Sequence, residues 1–168
     1  YEQAAAAYGK VLAADPGNIR AALGKAVLLV RGGAIAESSR AIDALGMAAQ
    51  PYDVSTRIML RKALDDFERR GGWFGDTPEN HAAYARLLYR AGRLPDALIA
   101  ARRAVELAPG DTSAWNFIAA MQLQMGNLEQ ARQAYDKSLE ADPNQKQIEA
   151  ARNQIVSQLS AGGAGKKQ

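Results

Sequence analysis

Apolar and small side chains recur along most of the chain at intervals of three and four residues, the spacing of an amphipathic helix. One pattern appears three times: an initial residue, two small or apolar residues three and four positions later, and a proline eight positions later. The three copies begin at Tyr8, Ala101 and Tyr135 and end at Pro16, Pro109 and Pro143. Because proline cannot continue a helix, each copy predicts a helix that ends before its proline. The last two prolines are 34 residues apart, so the chain contains a repeat.

Each of the two clearest repeats also contains a glycine followed five residues later by an alanine. The pairs are Gly92 with Ala97 and Gly126 with Ala131. The glycines stand where one helix should end and the next begin, a place that favours a residue with positive φ. The alanines stand where two helices must approach closely. Each repeat is therefore predicted to be a helix, a tight turn and a second helix.

These residues resemble the tetratricopeptide repeat, a helix–turn–helix unit of 34 residues. His81 and Trp115 occupy its large aromatic position. Its small positions hold Ala85, Ala97, Ala119 and Ala131. The resemblance implies an all-α fold, a right-handed α-solenoid of antiparallel helix pairs.

The register of the repeats divides the chain into segments. We predict a single array over 1–161, followed by a flexible tail over 162–168. Its segments are the second helix of a truncated repeat (1–16), a degenerate repeat (17–50), an irregular helix with an aromatic loop (51–76), two repeats (77–110 and 111–144) and a capping helix (145–161). The turn Arg31-Gly32-Gly33 of the degenerate repeat is expected to be looser than a single-glycine turn.

The segment 51–76 does not follow the repeat. A long helix from about Asp53 to Arg70 is predicted, with one apolar stripe formed by Val54, Ile58, Ala63, Leu64 and Phe67. A glycine-bounded aromatic loop follows over 71–76. Thr77-Pro78-Glu79 then supplies a helix cap, a proline at the first helical position and an acidic first turn.

Composition removes several classes of function. Cysteine is absent and His81 is the only histidine, which excludes disulfides, Cys/His zinc sites and thiol nucleophiles. We therefore expect no enzyme activity in this segment, no cofactor and no metal. Lys and Arg number 21 against 18 Asp and Glu, and the arginines alternate with acids, so no nucleic-acid partner is expected. The longest apolar runs, such as residues 26–30, have five residues and are too short for membrane insertion.

Asp65 and Asp66 are the nearest approach to a pair of catalytic carboxylates. Neighbouring residues on a helix diverge by roughly 100°, so these two cannot converge on one substrate. Both instead have arginine or lysine four residues away on either side, which predicts a solvated face of i,i+4 ion pairs.

The resemblance also implies which residues face a partner, because the first helix of each repeat lines a concave groove. The polar and aromatic residues predicted there are Lys25, Arg86, Tyr89, Arg90, Asn116 and Gln124. Arg86 and Arg90 are one turn apart and could hold a carboxylate or a peptide backbone. Trp73 and Phe74 are a secondary candidate: they either form an exposed recognition element or, as we expect, fill the gap between the irregular helix and the next repeat.

The function predicted is a non-catalytic scaffold that binds a segment of a partner protein in this groove. The alternative is a C-terminal accessory or dimerisation domain of a larger enzyme whose catalytic domain precedes residue 1. Since the array begins inside a repeat, the first helix should expose an apolar face, which could mediate self-association. The alanine-rich composition suggests a bacterial source, and the compartment stays undetermined.

Overall fold

The structure is a computed structural model that describes residues 2–43 and 54–164. Within these ranges the regular secondary structure is entirely helical. The helices are α1 (Glu2–Ala14), α2 (Ile19–Arg31), α3 (Ile35–Asp43), α4 (Val54–Arg69), α5 (Pro78–Arg90), α6 (Leu94–Leu107), α7 (Thr112–Gln124), α8 (Leu128–Ala141) and α9 (Lys146–Ala164). The all-α helix–turn–helix fold predicted from the repeats is confirmed.

The chain divides into two compact units, one up to Ala100 and the other from Ala101 onward. In the first unit α2 packs against α1, α3 and α4, and α5 packs against α3 and α4. In the second unit α8 packs against α7 and α9. The single array over 1–161 stays a prediction.

The turns between paired helices have one shared geometry. Gly92 and Gly126 both adopt φ of +76°, as the sequence predicted. After each glycine, the next residue's N–H donates to a carbonyl five residues earlier at 2.9 Å: Arg93 to Leu88, and Asn127 to Gln122. These bonds satisfy carbonyls at the end of the first helix of each pair.

The degenerate repeat uses the same turn. Gly33 has φ of +82°, and the N–H of Ala34 donates to the carbonyl of Leu29 at 2.9 Å. The expectation of a looser turn at Arg31-Gly32-Gly33 is therefore wrong. Gly32 ends α2 in an ordinary right-handed conformation, so Gly33 alone supplies the positive φ.

The four alanines at the predicted small positions, Ala85, Ala97, Ala119 and Ala131, are fully buried. Their small side chains allow the helices of each pair to approach closely, so the register inferred from sequence is the register of the structure.

Replacing Ala131 with leucine tests this packing. Three additional carbon atoms at a fully buried site should force neighbouring side chains off their preferred rotamers and lower the free energy of unfolding by about 1–3 kcal/mol. Urea denaturation followed by circular dichroism measures the change. Ala141→Leu, at an exposed position of the same helix, is the matched control and should leave the midpoint nearly unchanged. Equal midpoints for the two variants would contradict the packing role of Ala131.

The irregular helix is present as α4, but its buried stripe differs from the prediction. Val54 and Ile58 are exposed, whereas Thr56, Leu60, Ala63, Leu64 and Phe67 are buried. The buried positions differ from the predicted ones because α4 packs against two helices, α2 and α5, rather than against one. The degenerate repeat consists of α2 and α3. Helix α4 contacts the first of these and α5 contacts the second, so α4 and α5 together cover the repeat.

The ends of some predicted segments differ or lie beyond what is described. Helix α9 continues to Ala164, past the predicted end of the capping helix at 161. Residues 44–53, which include the end of the degenerate repeat and the predicted start of the irregular helix, lie outside the described residues, as do 165–168 of the predicted tail. No helix in the described part of the chain has both the length and the apolarity to cross a bilayer.

Candidate partner-binding surfaces

Helix α5 brings Arg86, Tyr89 and Arg90 together on one side, as its spacing predicts. Arg90 is almost fully buried and forms an ion pair with Asp43 at the end of α3. A buried guanidinium requires such a partner, because an uncompensated charge would be costly to remove from water. The expectation that both arginines are available to a partner is therefore wrong for Arg90, whose side chain ties α5 to α3.

Arg86 is held differently from Arg90. Its Nε donates to Ser39 Oγ at 3.4 Å, and Ser39 Oγ in turn donates to Asp43 Oδ2 at 3.3 Å. Among the described residues no acceptor lies within hydrogen-bond distance of the terminal nitrogens of Arg86. Tyr89, nearly one turn further along, keeps 37% of its surface exposed. This side of α5 therefore presents directed donors beside an accessible aromatic ring.

The other predicted groove residues lie on different helices. Lys25 is half-buried on α2, and no ion pair to it is described. Asn116, in the second unit, donates through Nδ2 to Gln145 Oε1 at 2.9 Å, and Gln145 donates to the carbonyls of Ser138 and Asp142 near the end of α8. Asn116 thus supports a helix end. Gln124 is exposed at the end of α7.

The two residues of the aromatic loop have opposite environments. Phe74 packs between Phe67, His81 and Tyr84, with ring centroids 6.2, 5.3 and 4.7 Å away. Trp73 points away from this cluster and is 76% exposed. The expected gap-filling role is therefore confirmed for Phe74 and wrong for Trp73. His81 accompanies the cluster and hydrogen-bonds through Nε2 to Asp76 Oδ1 at 2.7 Å, a structural arrangement.

Arg93 is the centre of an ion-pair network in the first unit. Its Nη1 lies 3.2 Å from Asp65 and 2.9 Å from Glu68, and its Nε lies 2.8 Å from Asp96. Burial opposes the charge of Arg93, yet the hydrogen bonds that it donates to Glu68 and Asp96 raise its pKa above the ordinary value. The predicted i,i+4 pairing of Asp65 is wrong, because its carboxylate reaches another segment instead.

Asp66 also departs from the predicted pattern. It pairs with Arg31 of α2 at 3.4 Å and with Arg69, three residues along α4. Arg70 donates to backbone carbonyls, those of Asp66 and Arg31, at 3.0 and 3.1 Å. The charged residues of α4 therefore face solvent and also bond this helix to α2.

Tyr84 connects the aromatic cluster to the same network. Its hydroxyl donates to Glu68. Burial, followed by this hydrogen bond to a carboxylate, raises the pKa of Tyr84 well above its ordinary value. The hydrogen bond of this phenol to Glu68 links α5 to α4.

The second unit contains a recess of about 480 Å³ between α6 and α8, with α7 as its floor. Val105, Trp115, Ile118 and Ala134 provide an apolar lining, and the indole N–H of Trp115 donates to the carbonyl of Pro109 at 2.8 Å, which fixes the ring. The recess is edged by longer polar side chains: Arg102, Glu106, Gln130, Gln133 and Lys137. Asn116, one residue after Trp115, is not among the lining residues.

Gln122 is the polar residue buried in this recess. Only 2% of its surface is exposed, and its Oε1 accepts a hydrogen bond from Asn127 at 2.9 Å. Within the described residues nothing accepts from its Nε2. An apolar lining with a few polar groups, such as the amide of Gln122, is typical of binding recesses.

Two family models, both described as Tetratricopeptide repeat, match this sequence. One matches residues 61–112 and 83–146, and the other matches residues 1–54. The chain belongs to the tetratricopeptide repeat family. No curated protein matches it. Proteins of this repeat family are generally non-catalytic scaffolds for protein–protein interaction, and the match does not favour the alternative of an accessory domain of an enzyme.

One crystal structure is similar in fold, and two others match with lower scores. TTC0263, a thermophilic TPR protein in Thermus thermophilus, gives a TM-score of 0.52 at 16% identity, over 90% of this chain and 88% of that chain. YrrB, described as a TPR protein with an unusual peptide-binding site, gives 0.46 at 21% identity, over 90% and 83%. MamA gives 0.47 at 16% identity, over 91% and 81%. At these identities the likeness concerns the fold alone.

The recess was missed by sequence reasoning for a physical reason. The tetratricopeptide pattern places Trp115 at a packing position, and a side chain at such a position is expected to be covered by its neighbours and to leave no recess. The available signal was Gln122, a polar residue four positions after Ile118 on the same buried side of α7. A polar side chain there predicts either a hydrogen-bond partner or an opening, and the structure has both.

Proposed function

We propose that this tetratricopeptide repeat chain is a non-catalytic scaffold that binds an extended segment of a partner protein along α5. Arg86 and Tyr89 are its principal contacts. Lys25, also from the predicted groove and in the same unit, is a secondary contact, while Arg90 supports the surface from within. The observation that carries the proposal is the half-satisfied guanidinium of Arg86.

Arg86 is suited to recognition because part of it is fixed and part is unoccupied. The bond from Nε to Ser39 restricts the side chain before a partner arrives, which lowers the conformational entropy lost on binding. The terminal nitrogens can then donate a pair of parallel hydrogen bonds to a carboxylate, or donate to a backbone carbonyl. Lysine has no such fork, so the geometry favours arginine at this position.

Tyr89 complements Arg86 with apolar area. Its exposed ring lies almost one helical turn away, so a bound segment that meets Arg86 can also lie across the ring. Tyrosine and arginine are the residue types that most often dominate binding energy at protein interfaces. Arg90 stays with Asp43 and thereby keeps α3 and α5 in register beneath the segment.

A capture experiment with matched variants tests this proposal. The chain, Arg86→Ala and the control Arg61→Ala, an exposed arginine of α4, are immobilised and exposed to lysate of the source organism. We expect a protein retained by the unmodified chain and by Arg61→Ala, with affinity for Arg86→Ala roughly tenfold or more weaker once the partner is purified. Arg86→Lys should recover only part of the affinity. Equal affinity for all variants would contradict the proposal.

A further inference from the structure

Trp73 is the most exposed aromatic residue that the structure describes, and its surroundings keep it so. Phe74 is anchored in the aromatic cluster, while Gly72 and Gly75 flank the pair. Gly75 adopts φ of +82°, which other residues rarely reach. The loop therefore holds an indole outward on a fixed base. Tryptophan exposed in this way is more typical of interfaces than of ordinary surface.

The recess of the second unit has the complementary chemistry. Its lining of Val105, Trp115 and Ile118 can take a flat apolar ring, and its volume lies within the about 300–1,000 Å³ usual for binding pockets.

Charge complementarity identifies the same pair of surfaces. Asp76 and Glu79 follow Trp73, and both are exposed. The arginines that precede it, Arg69 and Arg70, are bonded to α4 and to the end of α2. The edge of the recess carries Arg102, an exposed guanidinium with no described ion pair, Lys137, which pairs at the surface with Glu140, and Glu106, which pairs with Arg103. The charge without an ion pair at this edge is therefore that of Arg102, and the acidic side chains beside Trp73 of another copy would meet it.

We propose that the recess between α6 and α8 binds a second copy of this chain, whose Trp73 enters it. The contact joins the loop of one copy to the recess of another, so the two contributing surfaces are different. Each copy therefore has one donor and one acceptor surface. This association is independent of the surface formed by Arg86 and Tyr89.

Sedimentation and light scattering over a range of concentrations test the proposal. The unmodified chain should gain mass as concentration rises. Trp73→Ala and Arg102→Glu should each weaken self-association roughly tenfold or more, and both positions are exposed, so circular dichroism should show unchanged helicity. Arg61→Glu, a charge reversal at an exposed arginine of α4, and Arg86→Ala should associate like the unmodified chain.

Mixing the two defective variants gives the decisive measurement. Trp73→Ala keeps an intact recess and Arg102→Glu keeps an intact loop, so together they should form a one-to-one complex that neither forms alone. A strict monomer at all concentrations would overturn the proposal. Association that survives Trp73→Ala and is lost in Val11→Glu, on the exposed side of α1, would also overturn it and would place the interface on the N-terminal helix.

Discussion

Replacing Phe67 with alanine is expected to lower the free energy of unfolding of the first unit by about 3–5 kcal/mol. Only 5% of the Phe67 side chain is exposed, and its ring packs against Phe74. A Cβ atom added to Gly72 would fall 2.6 Å from the ring, and one added to Gly33 would fall 3.6 Å from it. The ring therefore fills the space between α4, the aromatic loop and the turn after α2.

The expected loss of stability is large because removing the ring would leave a cavity that the surrounding backbone cannot fill. The two backbone segments at Gly33 and Gly72 are held by turns, so they cannot collapse into the space that the ring vacates. Urea denaturation monitors the global change, and amide hydrogen exchange in α2, α4 and α5 locates it. Trp73→Ala is the control, since it removes a larger but exposed ring from the loop that packs against Phe67, and should change stability by less than about 0.5 kcal/mol. A similar loss for both variants would refute this view of the loop.

Arg93→Ala is expected to cost about 2–3 kcal/mol, because three carboxylates would lose a shared hydrogen-bond donor. The side chain of Arg93 is only 16% exposed and reaches Asp65 and Glu68 of α4 as well as Asp96 of α6. Without the guanidinium, the carboxylates would repel one another across the junction. Part of each carboxylate is exposed, so water limits the loss to less than that of a fully buried pair.

Salt separates this electrostatic effect from a packing defect. Added salt screens repulsion between the remaining carboxylates, so the stability difference between the unmodified chain and Arg93→Ala should shrink at high ionic strength. Arg93→Lys should fall between the two, because an ammonium cannot reach three carboxylates with directed bonds. The exposed Arg61→Ala variant controls for charge. A deficit that does not change with salt would show that Arg93 acts by packing alone.

The repeat register was predictable because it depends on local constraints that the sequence displays directly. A positive φ favours glycine, so Gly92 and Gly126 identified their turns, and close helix approach requires small residues, so Ala97 and Ala131 identified the packing. Thr77 is predicted and observed as a helix cap, accepting from the N–H of Asn80 at 3.3 Å. Each of these features involves residues within a few positions of one another.

The surfaces were less predictable because they depend on partners distant in sequence. Arg90 could be recognised as groove-facing, yet its ion pair with Asp43 spans 47 residues and no local pattern indicates it. The same holds for Asp65, which has oppositely charged residues at i,i+4 spacing but pairs with Arg93 in space. Trp73 and Phe74 are adjacent and chemically alike, so only the packing of the loop distinguishes a buried ring from an exposed one.

Helix α4 contacts α2, and α5 contacts α3, and these contacts affect the folding rate of the first unit. Bonds that join α2 to α4 close a loop of 35 residues, and those that join α3 to α5 close loops of 47. The corresponding side-chain bonds within the second unit span 29 residues or fewer. Closing longer loops costs more chain entropy before any contact is gained, which slows folding. We therefore expect the first unit, which contains the irregular helix α4, to be the slower of the two to form, although both are built from the same kind of hairpin.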